Sequence, residues 1–326
     1  MKLLSILIPT YNRASYLKDA IMCLLPQFSR YKDELEILVS DNCSSDDTKI
    51  VIDTLQSQFQ NQIIYYKQSE NIGFEANFEF LINKSKGKYL YLMGDDDILA
   101  ENFFDTILPL LRTPNDYTSI HWNRLTGNKL CSNNKLYDPI FTGKMIEELD
   151  ATNFVKRVMD RPNFISSIVF KKEIIKKAWN HYKDEYEGYK FCGPLYWGIV
   201  QAGGLNIYHY MPLIIQRVNS STWAKLFPYY LIGSMSNIFL DLDVVVPGIY
   251  LRWQKKLKTQ KTDVLYRVAD YRSFYRQQRV KSQMFKHMNC WDKIRYYYYL
   301  IPGTNLPYFL GALSFKLKKI INKVWR

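Results

Sequence analysis

The N-terminal part of the chain alternates between short apolar runs and amphipathic stretches. The apolar runs have the length and composition of buried parallel strands, and the stretches between them repeat apolar residues at helical spacing. We predict strands at 3–8, 35–42, 63–68 and 88–94, and helices at 14–25, 44–59 and 73–85. The order β-α-β-α-β-α-β is typical of an α/β protein with a mostly parallel, doubly wound sheet.

The alternation is weaker beyond the fourth strand. Segments 119–124 and 164–172 are predicted to be further strands, and 195–217 is predicted to form a helix, a Gly-Gly turn and a strand. The remainder of the chain is predicted to be helical and is rich in aromatic and basic residues. We therefore expect one domain over residues 1–225 and a helical, basic-aromatic region over residues 226–326.

Each of the first four predicted strands ends in, or leads into, a segment with polar residues. They are Pro9–Arg13, Ser40–Asn42, Glu70–Gly73 and Gly94–Asp97. In open α/β sheets, ligands bind beyond the carboxyl ends of the strands. We therefore expect these four segments to line one edge of the sheet and to form the binding site.

Three adjacent aspartates, Asp95, Asp96 and Asp97, end the fourth apolar run. Like charges repel unless a cation lies nearby, and Mg²⁺ takes one or two carboxylates together with water and substrate phosphates. A metal–diphosphate site explains the triplet, and the alternative is an Asp-rich turn or a helix N-terminus. The apolar strand before the triplet and the polar ends of the other strands, rather than the triplet alone, favour the metal site. Asp41, also at a strand end, is suited to accept from a nucleobase or a ribose hydroxyl, or to cap the next helix.

Composition narrows the class of protein. The 326 residues carry a net charge of +13, which is compatible with nucleic acid, an anionic membrane or phosphorylated substrates as partners, or with a solvated basic surface. Five cysteines without a CxxC spacing indicate a reducing compartment. The N-terminal apolar run is interpreted as a strand rather than a signal peptide. Neither GxGxxG nor GxxxxGK[ST] is present, so neither a dinucleotide site nor a P-loop is predicted.

Four motifs in order carry a resemblance to a known family. SILIPTYNRASYL, EILVSDNCSSDDT, NIGFEANFEFLI and YLYLMGDDDIL resemble the nucleotide-binding half of family 2 glycosyltransferases. The resemblance implies the GT-A fold, a Rossmann-like, doubly wound mixed sheet, with a nucleotide-binding half at 1–110 and an acceptor half at 111–225. The match covers roughly residues 3–110 and continues weakly to about residue 217.

The resemblance also implies roles for individual residues. Those expected to contact the donor nucleotide are Pro9, Thr10, Tyr11, Arg13, Asp41 on the base, Asn71, Gly73, Asn77 and Asp95. Asp96 matches the metal-binding carboxylate of the DXD region, with Asp95 and Asp97 beside it. Gly94 stands where a strict DXD has its first Asp, so Asp95 is the alternative ligand. Arg217, before Trp223, is expected to bind the diphosphate.

The implied reaction inverts the sugar carbon: an acceptor hydroxyl attacks as the nucleoside diphosphate leaves. Mn²⁺ or Mg²⁺ would stabilise the leaving group, and a carboxylate would take the acceptor's proton. The candidate bases are Glu187, then Asp184, with His181 and His209 as alternatives.

The C-terminal residues 308–326 place apolar and basic residues on opposite faces of a predicted helix. Such a helix binds membrane surfaces or packs on its own domain with the lysines in water. We expect a cytoplasmic enzyme, peripheral on the inner face of the cell membrane, that moves a sugar from a UDP-sugar to a lipid-linked or cell-surface glycan. The other hypotheses are a nucleotidyltransferase, whose Gly-rich basic loop is missing here, and a nucleic-acid-binding protein, which the acidic strand ends disfavour.

Overall fold

The computed structural model describes residues 2–59, 62–127, 135–136, 145–159, 165–179, 191–217, 228–265 and 275–300. The chain divides into two compact units. The first comprises Met1–Glu185 and Lys190–Ser220, and the second Tyr186–Tyr189 and Ser221–Arg326. Among the described residues, no helix is both long and apolar enough to cross a bilayer.

The first unit contains ten described strands and seven described α-helices. The strands are β1 Lys2–Thr10, β2 Leu35–Asp41, β3 Ile63–Lys67, β4 Gly87–Leu92, β5 Ile98–Leu99, β6 Ser119–Thr126, β7 Lys135–Leu136, β8 Ile146–Asp150, β9 Ile168–Lys171 and β10 Leu205–Gln216. The helices are α1 Ala14–Phe28, α2 Thr48–Gln58, α3 Phe74–Lys84, α4 Phe103–Leu111, α5 Ala151–Met159, α6 Lys172–Trp179 and α7 Cys192–Ala202. Short 3₁₀ turns occur at Ser29–Tyr31 and Ile165–Ser167.

The strands form one mixed sheet in the order β3-β2-β1-β4-β9-β6-β10-β5, with β7 beside β6 and β8 beside β10. The first four strands are parallel to one another, as predicted. β9 then runs antiparallel between β4 and β6, and β10 is parallel to β6. The sheet is therefore parallel on the side of the predicted nucleotide half and mixed on the other side.

The core explains why the first elements could be recognised. Every residue of β2 is buried, which is typical of a parallel strand covered on both faces. Along α1, buried Leu17, Ile21 and Leu24 recur at helical spacing and pack in one apolar cluster with Ile6 of β1. The burial of both apolar faces fixes the layers that position the strand ends.

Three predicted boundaries were wrong. The segment 164–172 contains a 3₁₀ turn before β9 rather than one long strand. α2 begins at Thr48 and not at residue 44, because Asp46 first accepts hydrogen bonds from the Thr48 amide and hydroxyl. α1 continues past Pro26 to Phe28, where burial of the Phe28 side chain stabilises the last turn.

The second unit is helical over its described residues. A π-helical turn at Tyr229–Ser234 leads into α8 Met235–Leu242, followed by α9 Ile249–Leu265, α10 Gln278–Phe285 and α11 Cys290–Tyr299. Buried Phe239 and Trp253 contact each other, and the Trp253 indole donates to the Ser236 hydroxyl at 2.8 Å. The helix predicted at 308–326 lies outside the described residues.

Candidate active site

The polar segments that follow the first four strands meet at one edge of the sheet. Thr10 and Asp41 are paired in register across β1 and β2, and the Met93 amide donates to the Leu7 carbonyl, so the chain beyond β4 stays beside β1. The loops are also joined: the Asn12 amide donates to the Ser44 hydroxyl at 2.8 Å. The parallel register therefore brings the four predicted segments together, as expected.

Arg13 bridges two of the three adjacent aspartates. Its Nε lies 2.8 Å from Oδ1 of Asp95, and its Nη2 lies 2.5 Å from Oδ2 of Asp96. The Thr10 hydroxyl donates to the second oxygen of Asp95 at 2.8 Å. Residues from the end of β1 thus hold two carboxylates from the end of β4 in a fixed, mostly buried position.

The electrostatics of this pair favour a cation. Burial, with the charge of Asp96, raises the pKa of Asp95 to about 6, although Arg13 and Thr10 oppose the rise. One guanidinium therefore does not fully compensate two adjacent carboxylates. Among the described residues, no three His, Cys, Asp or Glu side chains are grouped as a metal site. A pair of carboxylates nevertheless fits a hard cation that takes its other ligands from water and a diphosphate.

Asp97 points elsewhere than its two neighbours. Its carboxylate is buried and accepts a hydrogen bond of 2.5 Å from the Ser166 hydroxyl, which in turn accepts from the Gly94 amide at 2.8 Å. Burial raises the pKa of Asp97 well above its ordinary value. The prediction that Asp97 ligates a metal stays a prediction.

The same turn explains why Gly94 stands at the first position of the DXD-like segment. A Cβ there would lie 2.7 Å from Oδ2 of Asp97 and 3.1 Å from Oδ1 of Asp96. Both approaches are shorter than ordinary van der Waals contact, so a larger residue would displace the aspartates. In this chain, the carboxylate pair is therefore formed by the two residues after the glycine.

Asp41 is held by groups of its own unit. Its two oxygens accept from the Ser44 amide and from the Tyr65 hydroxyl, both at 2.7 Å. Burial and the hydrogen bond to Asp41 raise the pKa of Tyr65. Asp41 is fully buried, and its contact with a nucleobase stays a prediction. Beside it, Tyr11 exposes its ring at the end of β1.

The third predicted segment is fixed by side-chain amides. Asn71 accepts from the Asn42 side chain at 2.9 Å and from the Gly73 amide at 3.0 Å. Gly73 has φ of 82°, a conformation that favours glycine, and a Cβ there would meet no atom within 4 Å. Asn77 is buried and donates to the Ser40 carbonyl, so it joins α3 to β2. Their predicted contacts with the ribose and base remain untested.

Arg217 lies close to Arg13, which the sequence did not predict. Its Nη1 lies 2.9 Å from Oδ2 of Asp19 on α1. The two guanidinium carbons lie 4.7 Å (Arg13) and 5.5 Å (Arg217) from the centroid of the same Tyr16 ring. Tyr16 therefore gathers two arginines from opposite ends of the first unit's sequence.

The sequence analysis did not predict that Tyr16 and Ser166 belong to the site. Tyr16 follows Arg13 by three residues at the start of α1, and this i, i+3 spacing was an available signal. No sequence signal was available for Ser166, because it belongs to a segment predicted to be a strand and contacts the aspartate turn only in the folded protein.

The predicted bases are not located by the structure. Glu187, Asp184 and His181 lie outside the described residues, as does Trp223. His209 on β10 is described: it is buried, burial lowers its pKa, and its Nδ1 lies 3.3 Å from the Met211 carbonyl oxygen. These surroundings place the ring inside the first unit.

The family model for glycosyl transferase family 2 matches residues 5–162. Residues 5–162, just under half of the chain, form a domain of this family. Two curated relatives are an abequosyltransferase of Salmonella typhimurium, 36% identical over 100 residues, and a GalNAc(5)-diNAcBac-PP-undecaprenol beta-1,3-glucosyltransferase of Campylobacter jejuni, 28% identical over 191 residues. The alignments cover 31% and 58% of this chain and span 30% and 57% of those proteins.

Two solved structures of other proteins have a similar fold to this chain. TarS of S. aureus (residues 1–349) in complex with UDP-GlcNAc has a TM-score of 0.62 at 13% identity, covering 92% of this chain and 89% of that one. The mannosyltransferase PcManGT of Pyrobaculum calidifontis, in complex with GDP-Man and Mn²⁺, has a TM-score of 0.56 at 12% identity, covering 93% and 88%. This chain therefore has the GT-A fold.

Proposed function

We propose that this chain is an inverting glycosyltransferase that moves a sugar from a nucleoside diphosphate donor, of the UDP-sugar class, to a hydroxyl of a bacterial glycan. The observation that carries the proposal is the Arg13–Asp95–Asp96 cluster at the joined ends of β1 and β4. Family membership and two structural neighbours with bound nucleotide sugars support it.

In the proposed site, Asp95 and Asp96 would hold Mn²⁺ or Mg²⁺, with Asp97 as a further predicted ligand. When bound, the ion would supply positive charge to the leaving diphosphate. Arg13 orients both carboxylates in the absence of donor, because each is ion-paired to it. Arg217 is placed over the same Tyr16 ring as Arg13 and is proposed to contact phosphate oxygens.

The nucleoside is proposed to lie over the ends of β1 and β2. Tyr11 presents an exposed ring there, and Asp41 is the proposed acceptor for the base. Asn71 and Gly73 at the start of α3 would border the ribose, with Pro9, Thr10 and Asn77 supporting the backbone around it. Glu187, then Asp184, remain the proposed bases for the acceptor hydroxyl.

The proposed acceptor is a lipid-linked or cell-surface glycan, of the kind made for lipopolysaccharide or capsule. The name of the Campylobacter relative includes an undecaprenol-linked substrate. Because such acceptors sit in a membrane, we propose that the enzyme works as a peripheral protein on the cytoplasmic face of the membrane.

Thermal shift with UDP, with and without Mn²⁺, tests the donor site. Wild-type protein should be stabilised by UDP and Mn²⁺ together more than by UDP alone, and Asp96→Asn should lose the added shift. Asp53→Asn is the matched control, since Asp53 is an exposed aspartate paired with Lys49 on α2. A panel of sugar nucleotides, scored by hydrolysis, then identifies the donor. No binding and no hydrolysis of any donor would refute the proposal.

A further inference from the structure

The net positive charge of the chain comes from its C-terminal part. Residues 1–227 carry 26 Lys and Arg against 26 Asp and Glu, whereas residues 228–326 carry 18 against 5. The whole net charge of +13 therefore belongs to residues 228–326. Such a concentration of charge favours anionic partners for this region of the chain.

Helix α11 in this region exposes large apolar side chains along one side. Trp291, Ile294 and Tyr297 are 70%, 52% and 52% exposed, and their spacing of three residues places them on one face. We call these three residues the α11 stripe. Large apolar side chains exposed together on one helix face are a candidate interaction site, because exposed apolar patches often mark such sites.

The opposite side of α11 fixes how the stripe is presented. Asp292 and Tyr296 are buried, and the Tyr296 hydroxyl donates to the Tyr275 carbonyl oxygen. The Asp292 amide donates to the Asn289 side chain at 2.9 Å, which caps the start of the helix. Because this face is anchored in the second unit, the helix cannot turn the stripe inward without breaking these contacts.

Cations border the stripe on both sides. At 100° per residue, Lys293 and Arg295 fall on either flank of the face that holds Trp291, Ile294 and Tyr297. The Lys293 ammonium lies 5.6 Å from the Phe285 ring, which itself lies 5.6 Å from the Tyr297 ring. The one carboxylate of α11, Asp292, is buried, and its Oδ1 lies 3.6 Å from Nη1 of Arg295. Lys293 is therefore the main source of positive charge beside the stripe.

We propose that the α11 stripe is a docking surface for an anionic lipid bilayer. Trp and Tyr favour the membrane–water interface, where an apolar ring meets polar headgroups. Lys and Arg beside them are attracted to the negative surface of the cytoplasmic leaflet. The inference deepens the membrane association of the proposed function and rests on it, but it involves none of the residues proposed to bind the donor.

Co-sedimentation of the full chain with vesicles tests this surface. Vesicles of phosphatidylcholine alone are compared with vesicles containing phosphatidylglycerol. Wild-type protein should bind the anionic vesicles more tightly than the neutral ones. The double variant Trp291→Ser/Ile294→Ser should weaken anionic binding by about ten-fold or more, because interfacial binding scales with buried apolar area. Lys293→Gln should reduce the preference for anionic over neutral vesicles.

Val244→Ser is the matched control, since Val244 is 84% exposed after α8 and lies outside the stripe. It should leave vesicle binding unchanged. Unchanged vesicle binding by the stripe variant would overturn the proposal. It would also be overturned if wild type self-associates and the stripe variant does not, since the stripe would then bind a second copy. A loss of thermal stability in the stripe variant would overturn it as well, by showing that the chain covers its own stripe. Donor hydrolysis by the stripe variant distinguishes the two proposals. If the variant still hydrolyses a soluble sugar nucleotide, the proposed function stands even where the docking surface does not.

Discussion

Asp95 is a buried carboxylate whose charge state affects stability. Burial raises its pKa from 3.8 to about 6, so between these values the folded protein binds more protons at Asp95 than the unfolded chain. The free energy of unfolding of the metal-free protein therefore falls as the pH rises through this window, by up to about 3 kcal/mol. Above the window, the contribution of Asp95 no longer changes with pH. Asp95→Asn cannot titrate and should lack this contribution.

Urea unfolding of wild type and Asp95→Asn at several pH values measures the effect. The free energy of unfolding of the variant minus that of wild type should increase between about pH 4 and pH 7, because only wild type loses stability in this window. Asp53→Asn, the loss of an exposed carboxylate, is measured alongside as the control. Parallel curves for Asp95→Asn would contradict the raised pKa.

The Ser166 hydroxyl connects the aspartate turn to the 3₁₀ turn before β9. It accepts from the Gly94 amide and donates to the buried carboxylate of Asp97. Ser166→Ala removes this hydrogen-bond partner from the Gly94 amide and from the buried Asp97 carboxylate. We expect the free energy of unfolding to fall by about 1–3 kcal/mol. Because Gly94 precedes the carboxylate pair, binding of UDP with Mn²⁺ should also weaken, while Ser166→Thr should retain more of both.

Urea unfolding and calorimetric titration with UDP measure these two effects. Ser57→Ala on α2 is the control, since the exposed Ser57 hydroxyl donates only to the Asp53 carbonyl of its own helix. Equal stability and equal UDP binding for Ser166→Ala and Ser57→Ala would show that the connection has no role in positioning the aspartates.

At the scale of elements, the parallel half of the sheet was predictable and the mixed half was not. β1 to β4 and α1 to α3 are long or strongly periodic, so local pattern decides them. β5 is two residues long and exists through its pairing with β10, a contact that no local window contains. The same applies to the site: strand ends could be listed from sequence, whereas the Ser166 contact depends on how β9 is placed.

Helices α6 and α7 pack closely at a single glycine. A Cβ on Gly198 would lie 2.4 Å from Cγ2 of Ile174 and 2.9 Å from its carbonyl oxygen. Gly198→Ala should therefore destabilise the protein by about 1–3 kcal/mol through overpacking, despite the better helix propensity of alanine. Gly233→Ala is the control, because its nearest neighbour would lie 3.6 Å away.

Urea unfolding of the two glycine variants gives opposite expected signs. Gly198→Ala should shift the transition to lower urea, and Gly233→Ala should leave it unchanged or raise it slightly. A stabilised Gly198→Ala variant would show that α6 moves away at little energetic cost.

Over the whole molecule, charge and chemistry are divided along the chain. Residues 1–227 are neutral in total and contain every described residue proposed to contact the donor, whereas residues 228–326 carry the net charge of +13. Overall charge alone suggested nucleic acid or membrane as partners of the protein in general. From this division we predict that donor binding and attraction to an anionic surface can be disturbed independently.

Salt should therefore affect the two activities differently. Raising NaCl from about 0.05 M to about 0.5 M shortens the Debye length and should weaken binding to anionic vesicles by about ten-fold or more. Donor binding should change much less, because the ion pairs of Arg13 with Asp95 and Asp96 are mostly buried from solvent. Vesicle sedimentation and UDP titration at both salt concentrations provide the measurement. Vesicle binding that is insensitive to salt would mean that the apolar stripe acts without the basic residues around it. Equal losses of vesicle binding and UDP binding would mean that charge and chemistry are not divided as the sequence indicates.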